Sequence, residues 1–375
     1  MCILFAIKYG TYPGQLQEEM NARVNSQMQE IKIEFVDPLV DPGYARLIEK
    51  LPTSLFHSGQ WLSVFTATYQ FKPEAIMVYE SGLATAALPF IRISDPGGKR
   101  ICALPFSDYC DPAFSNPSKA VVIFEALKNL DPESAVNLRL LDSPDPPKNL
   151  GFNKIKSARW HGLDLSLGME QLNARLKPNF RRDVQKARNA GVKIRHLERE
   201  ELRLFFELHL RVRKNRHRIL AQPFSFFENI WDTFMAEGQG FFLGAFHDHS
   251  LIAVQCYIPW KRNLVYKYSA SDYLFQQMQA NKLLSWTAVE EAVNSGFSLF
   301  DLGLSDDDQP GLIAYKLHLG AHEKEIRFFN YTPASYPVMQ GWKEGLKKFT
   351  DAVTAPEVSD RITEEAGNIL CRFFA

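Results

Sequence analysis

The sequence has no excess of charge of either sign. Its 375 residues contain 43 Lys and Arg against 43 Asp and Glu, so the formal net charge is zero. A general attraction to nucleic acid or to an anionic membrane needs a basic chain, and the balanced total excludes it. We therefore expect no DNA partner, although a local cluster of cations is still compatible with that total.

Cysteine is scarce, and long hydrophobic runs are missing. The five cysteines are widely separated and contain no Cys-x-x-Cys pair, which indicates buried thiols in a reducing compartment. No run approaches the roughly 18 apolar residues that a membrane span needs, and Met1 to Ala6 is too short for a signal-peptide core. We expect a cytoplasmic protein with no transmembrane segment, for which any contact with a lipid-linked substrate is peripheral.

Several motifs that identify enzyme classes are also absent. The chain has no Gly-x-Ser-x-Gly elbow, no Walker loop and no Gly-x-Gly-x-x-Gly, so hydrolase, phosphate-loop ATPase and dinucleotide dehydrogenase functions lose support. His318 and His322 are four residues apart, but Gly320 lies between them and no His-Glu-x-x-His pattern is present. We therefore predict no metal site.

The two halves of the chain repeat one order of predicted strands and helices. Ser107-Asp108-Tyr109 follows the third strand of the first half, and Ser271-Asp272-Tyr273 follows the third strand of the second, an offset of 164. Leu83 and Leu251, each just after a hairpin turn, differ by 168. A matched order of elements at a matched offset predicts internal duplication.

The predicted fold is therefore α/β, with two tandem domains from that duplication. With 46% hydrophobic residues the chain can bury two cores. We place the domains at residues 31–165 and 166–335. An N-terminal extension occupies residues 1–30, and a C-terminal helical tail occupies residues 336–375.

Local charge is the most informative feature of the second half. Residues 171–218 contain fifteen Lys and Arg against five Asp and Glu, a surplus of ten. In a predicted helix over residues 178–190, Arg182 and Lys186 lie on one face with Arg181 beside them. Converging cations suit an anionic ligand such as a diphosphate, CoA or a tRNA backbone. A solvated surface helix is the alternative.

A predicted strand in the same half ends in polar side chains. Its alternation predicts that Tyr266, Tyr268 and Ala270 share one face, and Lys267 and Ser269 the other. Tyrosines with a serine hydroxyl suit a substrate-facing edge. Tyrosines buried within the sheet are an equal alternative.

Two charged residues follow further along the chain. Asp301 ends an otherwise apolar strand and precedes an acidic loop, and ligands of α/β sheets bind beyond strand ends. A helix cap or a solvated turn explains the acidic loop equally well. Lys316, on the short helix after that loop, suits stabilisation of the oxyanion of an acyl-transfer intermediate. A surface lysine is the alternative.

Weak sequence marks occur in both halves in a consistent order and spacing, over roughly residues 56–331. Together these marks resemble the Fem-like transferases of the GNAT superfamily, which build peptidoglycan bridges or accompany genes for cell-envelope polysaccharides. The marks are Trp61, Glu80-x-Gly82, Leu88-Pro89, Pro105-Phe106-x-x-Tyr109, Arg181-Arg182, Lys186-Ala187, Tyr266-x-Tyr268-x-Ala270-Ser271, Asn281-x-Leu283-Leu284-x-Trp286, Phe300-Asp301-x-Gly303 and Tyr315-Lys316.

The resemblance implies tandem GNAT-like domains, each a mixed sheet flanked by helices, with a substrate channel at or beside their junction. It implies transfer of an acyl or aminoacyl group to an amine. Lys316 matches the lysine that assists the transition state, and Arg181, Arg182 or Lys186 would hold substrate phosphates.

The resemblance also implies an acceptor site in the first half. Asp111 corresponds to a family carboxylate near the acceptor, and Asp108 competes for that position. Tyr109 would then contact substrate beside it.

The acyl donor stays open at this point. GNAT domains that use acetyl-CoA place an Arg/Gln-x-x-Gly-x-Gly/Ala loop before the helix that receives the pyrophosphate, but residues 276–281 contain no glycine. We therefore leave acyl-CoA and aminoacyl-tRNA as alternative donor substrates, and expect no tightly bound cofactor.

The sequence thus predicts an N-acyltransferase acting on an amine of a peptidoglycan or polysaccharide precursor. Asp301 or Asp111 would accept the proton that the amine loses. The alternative is a non-catalytic GNAT-like module that binds a nucleotide-sugar or RNA.

Overall fold

The computed structural model describes residues 31–334, 336 and 341–374, so the predicted N-terminal extension lies outside the described residues. The α/β class is confirmed, because a large mixed sheet is flanked by helices. None of the described helices is both long and apolar enough to cross a lipid bilayer.

The strands form one row within the described part of the chain. They are β1 (Ile31–Val36), β2 (Pro73–Glu80), β3 (Leu83–Asp95), β4 (Gly98–Cys102), β5 (Ala113–Phe114), β6 (Ala135–Leu140), β7 (Asn153–Asp164), β8 (Lys193–His196), β9 (Phe241–His247), β10 (Ser250–Trp260), β11 (Asn263–Ser271), β12 (Leu299–Asp306) and β13 (His322–Tyr331). Their order is β1-β2-β3-β4-β6-β13-β7-β12-β11-β10-β9-β8, and β5 pairs with β3 beside this row.

Nine helices accompany this sheet in the described residues, and two more lie at the C-terminal end of the chain. They are α1 (Pro42–Lys50), α2 (Gly59–Tyr69), α3 (Ser118–Leu130), α4 (Gly168–Arg175), α5 (Pro178–Asn189), α6 (Leu202–Arg211), α7 (Phe224–Ile230), α8 (Ala280–Asn294), α9 (Pro310–His318), α10 (Trp342–Val353) and α11 (Asp360–Leu370). α5 begins at a proline, which suits the first helical turn, and Gly191 follows it at φ +78°. α6 continues as a π-helical turn over Val212–His217.

The order of the strands has the same pattern when read from either edge of the sheet. β4 pairs in parallel with β6, and β11 pairs in parallel with β12. β13, from the second half, pairs with β6, whereas β7, from the first half, pairs with β12. β7 and β13 run antiparallel beside each other at the centre. Each side of the sheet is thus completed by the last strand of the other half.

The hydrophobic core also joins the halves. One large cluster brings Trp61 and Phe65 of α2 against Phe226 of α7, with Tyr268 of β11 packed beside them. A second cluster, around Phe180, lies between α5, α8 and strands β9 to β12. Because the first cluster takes side chains from both halves, their packing energies are not independent.

The two C-terminal helices are attached to the π-helical turn by charged side chains. Lys214 Nζ donates to the Asp360 carboxylate at 2.8 Å and to the carbonyl of Val358. Arg218 donates to the carbonyl of Asp351 at 2.8 Å. These bonds hold the segment between α10 and α11 against the turn after α6.

Candidate functional site

A gap in the sheet forms the first part of the site. β11 and β12 pair in parallel only between residues 263–265 and 299–301 and then separate. The gap opens into a cavity of about 430 Å³, lined by Tyr266, Ser269 and Ala270 of β11 and by residues of α9. The crevice beyond the ends of parallel strands is where α/β folds usually bind ligands.

Two further cavities adjoin this gap. One of about 440 Å³ lies over the first turn of α8, and another of about 750 Å³ lies between the π-helical turn and the turn that precedes α8. Arg216, Ser271 and Asn281 line all three cavities. We therefore treat the three as one space and call it the strand-gap hollow.

Tyr315, which lines the strand-gap hollow, belongs to a buried network of hydroxyl and amide groups behind it. The Tyr315 hydroxyl lies 2.6 Å from that of Ser285 and donates to the Asn281 carbonyl at 2.9 Å. Ser285 also donates to the side-chain oxygen of Gln255, which accepts a bond from Tyr257 as well. Burial raises the pKa of Tyr315, so its phenol keeps its proton at neutral pH.

A buried ion pair lies where the halves meet. Lys267 Nζ donates to Asp108 Oδ1 at 2.6 Å, and the rings of Phe56, Trp61 and Tyr268 surround the ammonium at 4.9, 5.5 and 5.6 Å. Burial acts to raise the pKa of Asp108, but the Lys267 charge and hydrogen bond help to bring that pKa below its ordinary value. The Asp108 side chain is therefore a carboxylate at neutral pH.

Lys267 is the extra residue of a β-bulge. Tyr268 is opposite Cys256 and Tyr266 is opposite Tyr257, so Lys267 has no opposing residue on β10. The bulge shifts by one position the alternation of β11 side chains between the two faces of the sheet. Tyr268 consequently packs against the first core cluster, and Tyr266 against the second and beside the gap. The prediction that Tyr266 and Tyr268 share one strand face is wrong for this reason.

The carboxylate of Asp301 is buried and hydrogen bonded on both oxygens. Trp160 Nε1 donates to Oδ1 at 2.7 Å, the Gly303 N–H donates to Oδ1 at 2.8 Å, and the Tyr109 hydroxyl donates to Oδ2 at 2.9 Å. Burial raises the pKa of Asp301 to about 6, with repulsion from Asp108 in the same direction. The hydrogen bonds to the carboxylate act in the opposite direction.

Lys316 is not a surface lysine, because its side chain is almost fully buried at 1% exposure. Its Nζ donates to the Leu304 carbonyl at 2.9 Å and to the Gly303 carbonyl at 3.1 Å. Burial lowers the pKa of Lys316 to about 8, although Asp108 and Asp301 act to raise it. An ammonium has three N–H donors, so one is left for a further acceptor.

Gly303 allows these charges to approach one another. Its φ is +65°, and a Cβ at this position would collide with the Asp108 carboxylate. The N–H of Leu304 donates to Asp108 Oδ2 at 3.3 Å. The turn in β12 therefore packs directly on the first-half loop that carries Asp108.

Asp111 holds a loop after β6. Its oxygens accept N–H bonds from Leu141 and Ser143, both at 2.9 Å, and from Asp142 at 3.2 Å. Burial raises the pKa of Asp111. The observed partners are backbone groups, and a catalytic role for Asp111 stays a prediction.

About half of the cations in the basic stretch at residues 171–218 are already hydrogen bonded within the fold. Arg182 and Lys186 are exposed on α5 without a partner among the described residues, whereas Arg181 donates to the Asn173 carbonyl at 2.5 Å. Arg181 and Arg182 line a separate surface cavity of about 450 Å³. Eight of the fifteen cations bond to carboxylates or backbone carbonyls: Arg181, Arg188, Arg195, Arg199, Arg203, Arg213, Lys214 and Arg218.

Among the cations that line the strand-gap hollow, Arg216 is the one that borders all three cavities, and no sequence pattern predicted it as a site residue. It is exposed and has no partner in the part of the chain that the structure describes. Its position depends on a π-helical turn, a feature often found at functional sites but without a sequence signature here. Lys267 was predicted only to share a strand face with Ser269 and not to be a site residue, although a lysine between two tyrosines of a strand could have indicated one.

Comparison with protein families finds a match in the second half of the chain. Residues 174–317 match the model described as an acetyltransferase (GNAT) domain. No curated protein matches the sequence. The matched range contains β11, β12, α8 and most of α9, which are the elements that surround the strand gap.

Comparison with solved structures extends the likeness over both halves. FemX has a TM-score of 0.62 at 14% identity, over 80% of this chain and 97% of that chain. A tandem GNAT protein from the clavulanic acid biosynthesis pathway has a TM-score of 0.55 at 14% identity, over 80% and 98%. A conserved protein of unknown function from Bacteroides thetaiotaomicron has a TM-score of 0.51 at 10% identity, over 80% and 100%. The predicted resemblance to Fem-like and GNAT proteins is confirmed at the level of the fold.

Proposed function

We propose that this chain, whose residues 174–317 match the GNAT acetyltransferase domain model, transfers an acyl or aminoacyl group to an amine of a peptidoglycan or polysaccharide precursor. The observation that supports this most directly is the strand-gap hollow. It borders Tyr266 and Tyr315. Their chain neighbours Lys267 and Lys316 are buried close to the carboxylates of Asp108 and Asp301, and we call these four residues the charge cluster. The resemblance of the sequence marks to Fem-like transferases supports the choice of a cell-envelope acceptor.

The acyl donor enters from the side of α8. Its phosphates lie near Arg216 and the first turn of α8, where free N–H groups and the helix dipole favour an anion. Its acyl group lies in the gap between β11 and β12. Acyl-CoA and aminoacyl-tRNA both carry phosphate at one end and a carbonyl at the other, so both suit this arrangement.

The acceptor amine approaches from the first-half loop that carries Asp108 and Tyr109. Its nitrogen forms a bond to the acyl carbon, and its proton passes to the Tyr109 hydroxyl while the phenol proton moves to Asp301 Oδ2. The charge of Lys316 stabilises the oxyanion. The C–S or C–O bond to the leaving group then breaks as Tyr315 donates its proton to the departing sulfur or oxygen. Proton exchange with solvent afterwards removes the proton from Asp301 and restores the Tyr315 phenol.

Residues 31–165 and 166–335 are two tandem GNAT-like domains from an internal duplication. The strand order that repeats from either edge supports this, as do matching bulges in the two hairpins, which leave Thr85 and Ile252 unpaired. The four cysteines among the described residues are free thiols, which supports a cytoplasmic location.

A transfer assay with a blocked gap tests the proposal. Ser269 is exposed on β11 and lines the gap, so Ser269→Trp fills it. Ser94→Trp places the same ring on an exposed strand position of the first half as a matched control. With an amine present, we expect the wild type and Ser94→Trp to release free CoA or deacylated tRNA. Ser269→Trp should release about tenfold less.

The transfer assay, together with a measurement of melting temperature, distinguishes the proposed enzyme from the non-catalytic binding module. Equal turnover in the two tryptophan variants contradicts the placement of the acyl group in the gap. If no acyl donor is consumed and only RNA or a UDP-linked sugar raises the melting temperature, the non-catalytic binding module replaces the proposal.

A further inference from the structure

We propose that β1 pairs with β1 of a second copy of this chain, so that two sheets join edge to edge in a symmetric dimer. β1 lies at one end of the strand row, and among the described residues it pairs only with β2. The outer side of such an edge strand presents backbone N–H and C=O groups that can bond to another strand. Six strands separate β1 from β12 in the row, so this contact is distinct from the strand gap.

The six residues of β1 form a regular strand that suits pairing. Their sequence, Ile-Lys-Ile-Glu-Phe-Val, contains no proline, and the register with β2 continues without a bulge from Ile31 to Val36. Edge strands that resist pairing are usually very short, bulged, or rich in charge and proline. β1 can therefore accept another strand along its whole length.

The opposite end of the strand row has the features that resist pairing. β8 is only four residues long, and its Lys193 and Arg195 are exposed. A second copy of β8 would place these cations against those of the first. Of the two ends of the row, β1 is the one that suits a second copy.

Apolar side chains are exposed along one face of β1. Ile31, Ile33 and Phe35 are 47%, 39% and 47% exposed, and they share a face because alternate residues of a strand do. They extend the face of Ile76 and Val78 of β2, which are buried in the first core cluster. A strand that brings the same apolar row to the same face would cover these side chains, and burial of apolar surface favours association.

The charges of β1 select one register for the pair. The two apolar rows share a face only when odd-numbered residues oppose odd-numbered residues. An antiparallel pair centred on Ile33 places Lys32 of each copy opposite Glu34 of the other. A pair centred on Lys32 or on Glu34 would instead oppose that residue to its own copy, which is unfavourable. The strand is thus complementary to itself about Ile33, as a twofold axis requires.

The two charged side chains already form an ion pair within one strand. Lys32 Nζ lies 2.5 Å from Glu34 Oε1, and the side chains are 67% and 35% exposed. Both lie on the face of β1 opposite to the apolar row. In the dimer the four charges would alternate in sign around the twofold axis, so each ammonium would lie beside two carboxylates.

Analytical ultracentrifugation of the full chain tests the inference. We expect a reversible dimer of twice the 42.9 kDa chain mass, with a dissociation constant on the order of 10 µM because an interface built on one strand is small. Ile33→Lys brings two ammonium groups together at the axis and should raise this constant at least about tenfold. Ile155→Lys, at a 64% exposed isoleucine of β7, is the matched control and should change it less than about twofold.

Reversal of the charges tests the register. Lys32→Glu alone and Glu34→Lys alone each oppose like charges across the two strands, and each should raise the dissociation constant about tenfold. The double variant Lys32→Glu/Glu34→Lys restores opposite charges at both contacts and should return the constant to within about twofold of wild type. A double variant as weak as the single variants would overturn the register.

Cysteine substitution locates the axis. Ile33→Cys places two thiols opposite each other, where a disulfide can form, whereas Ile31→Cys and Phe35→Cys each leave their own two thiols about four residues apart. Under oxidation we expect Ile33→Cys to give a cross-linked dimer on a non-reducing gel, above the background of the wild type. An equal mixture of Ile31→Cys and Phe35→Cys should also cross-link, although neither does so alone.

The outcomes decide the inference independently of the proposed function. A chain that is monomeric at about 100 µM, or a dimer that Ile33→Lys leaves intact, overturns it. If the chain is monomeric and the β1 amides are nevertheless protected from hydrogen exchange, residues 1–30 of the same chain replace the second copy as the occupant. A dimer that Ile33→Lys dissociates and the double charge variant retains supports the inference even if no acyl transfer is found.

Discussion

At the scale of single residues, burial shifts two ionisable groups of the cluster in opposite directions. It raises the pKa of Asp301 to about 6 and lowers that of Lys316 to about 8. The carboxylate is therefore charged above the first value and the ammonium below the second. The proposed chemistry needs both charges, which confines it to the interval between them.

The pH dependence of turnover follows from this. We expect a bell-shaped profile with limbs near pH 6 and pH 8. Asp301→Asn should lower turnover and remove the acidic limb. Lys316→Arg, whose side chain stays charged to above about pH 12, should remove the alkaline limb. Steady-state rates across pH check this, and a profile that keeps both limbs in both variants contradicts the assignment.

The free energy of unfolding should change with pH over the same range as the acidic limb of the turnover profile. The folded pKa of Asp301, about 6, lies above its ordinary value of 3.8, so the folded state binds the proton more tightly. This contribution is present below the ordinary value and is lost as pH rises through about 6. Asp301→Asn should therefore lose less unfolding free energy than wild type over that interval. Urea titrations at a series of pH values measure it, and parallel curves would contradict it.

Two variants of Asp111 distinguish a structural role of this residue from a catalytic one. Asp111→Ala leaves three backbone N–H groups unsatisfied, at about 1 to 3 kcal/mol each. Asp111→Asn keeps one oxygen acceptor and should recover part of this loss. If Asp111 only holds the loop, Asp111→Asn retains kcat, and thermal melts show intermediate stability. A loss of kcat with unchanged melting would instead support the predicted catalytic role.

At the scale of elements, regular structure was predictable and its irregularities were not. The helix predicted over residues 178–190 is present as α5 and ends within one residue of that range, because its apolar spacing is regular and Gly191 stops it. The bulge at Lys267 and the π-helical turn over Val212–His217 have no such periodic signal. Both place side chains at the candidate site, so Tyr266, Tyr268 and Arg216 are the residues for which the sequence prediction was wrong or silent.

The attachment of the C-terminal hairpin is testable with a pair of glycines. A Cβ at Gly367 of α11 would lie 2.6 Å from the Ala221 carbonyl oxygen, whereas a Cβ at Gly345 of α10 meets nothing within 4 Å. Gly367→Ala should therefore push α11 from the body and lower stability. Gly345→Ala should raise stability by about 0.5 to 1 kcal/mol, since alanine favours a helix. Denaturant unfolding measures both, and equal shifts of the same sign would contradict the packing.

At the scale of the whole molecule, the two halves depend on each other. The matched element order predicted two similar units, but a linear pattern carries no sign that β7 and β13 pair across them. The shared aromatic cluster around Trp61 and Phe226 adds to this dependence. The charge cluster takes Asp108 from one half and Lys267 from the other, so a complete site needs both.

Separate halves should therefore fail to fold alone. We expect fragments 31–165 and 166–374 to give weak, uncooperative melts by circular dichroism, because each lacks the strand that completes its side of the sheet. Mixing them during refolding should restore one cooperative transition. Two fragments that each melt cooperatively when alone would contradict the structural dependence.

We expect this chain to catalyse acyl transfer to an amine. The most direct measurement is mass spectrometry of candidate cell-envelope amine acceptors after incubation with the chain and an isotope-labelled acyl-CoA or aminoacyl-tRNA. We predict a mass increase equal to the labelled acyl group on the acceptor nitrogen, strongly reduced in Asp301→Asn. An acceptor of unchanged mass with every acyl donor, although the chain is folded and binds that donor, would contradict the account.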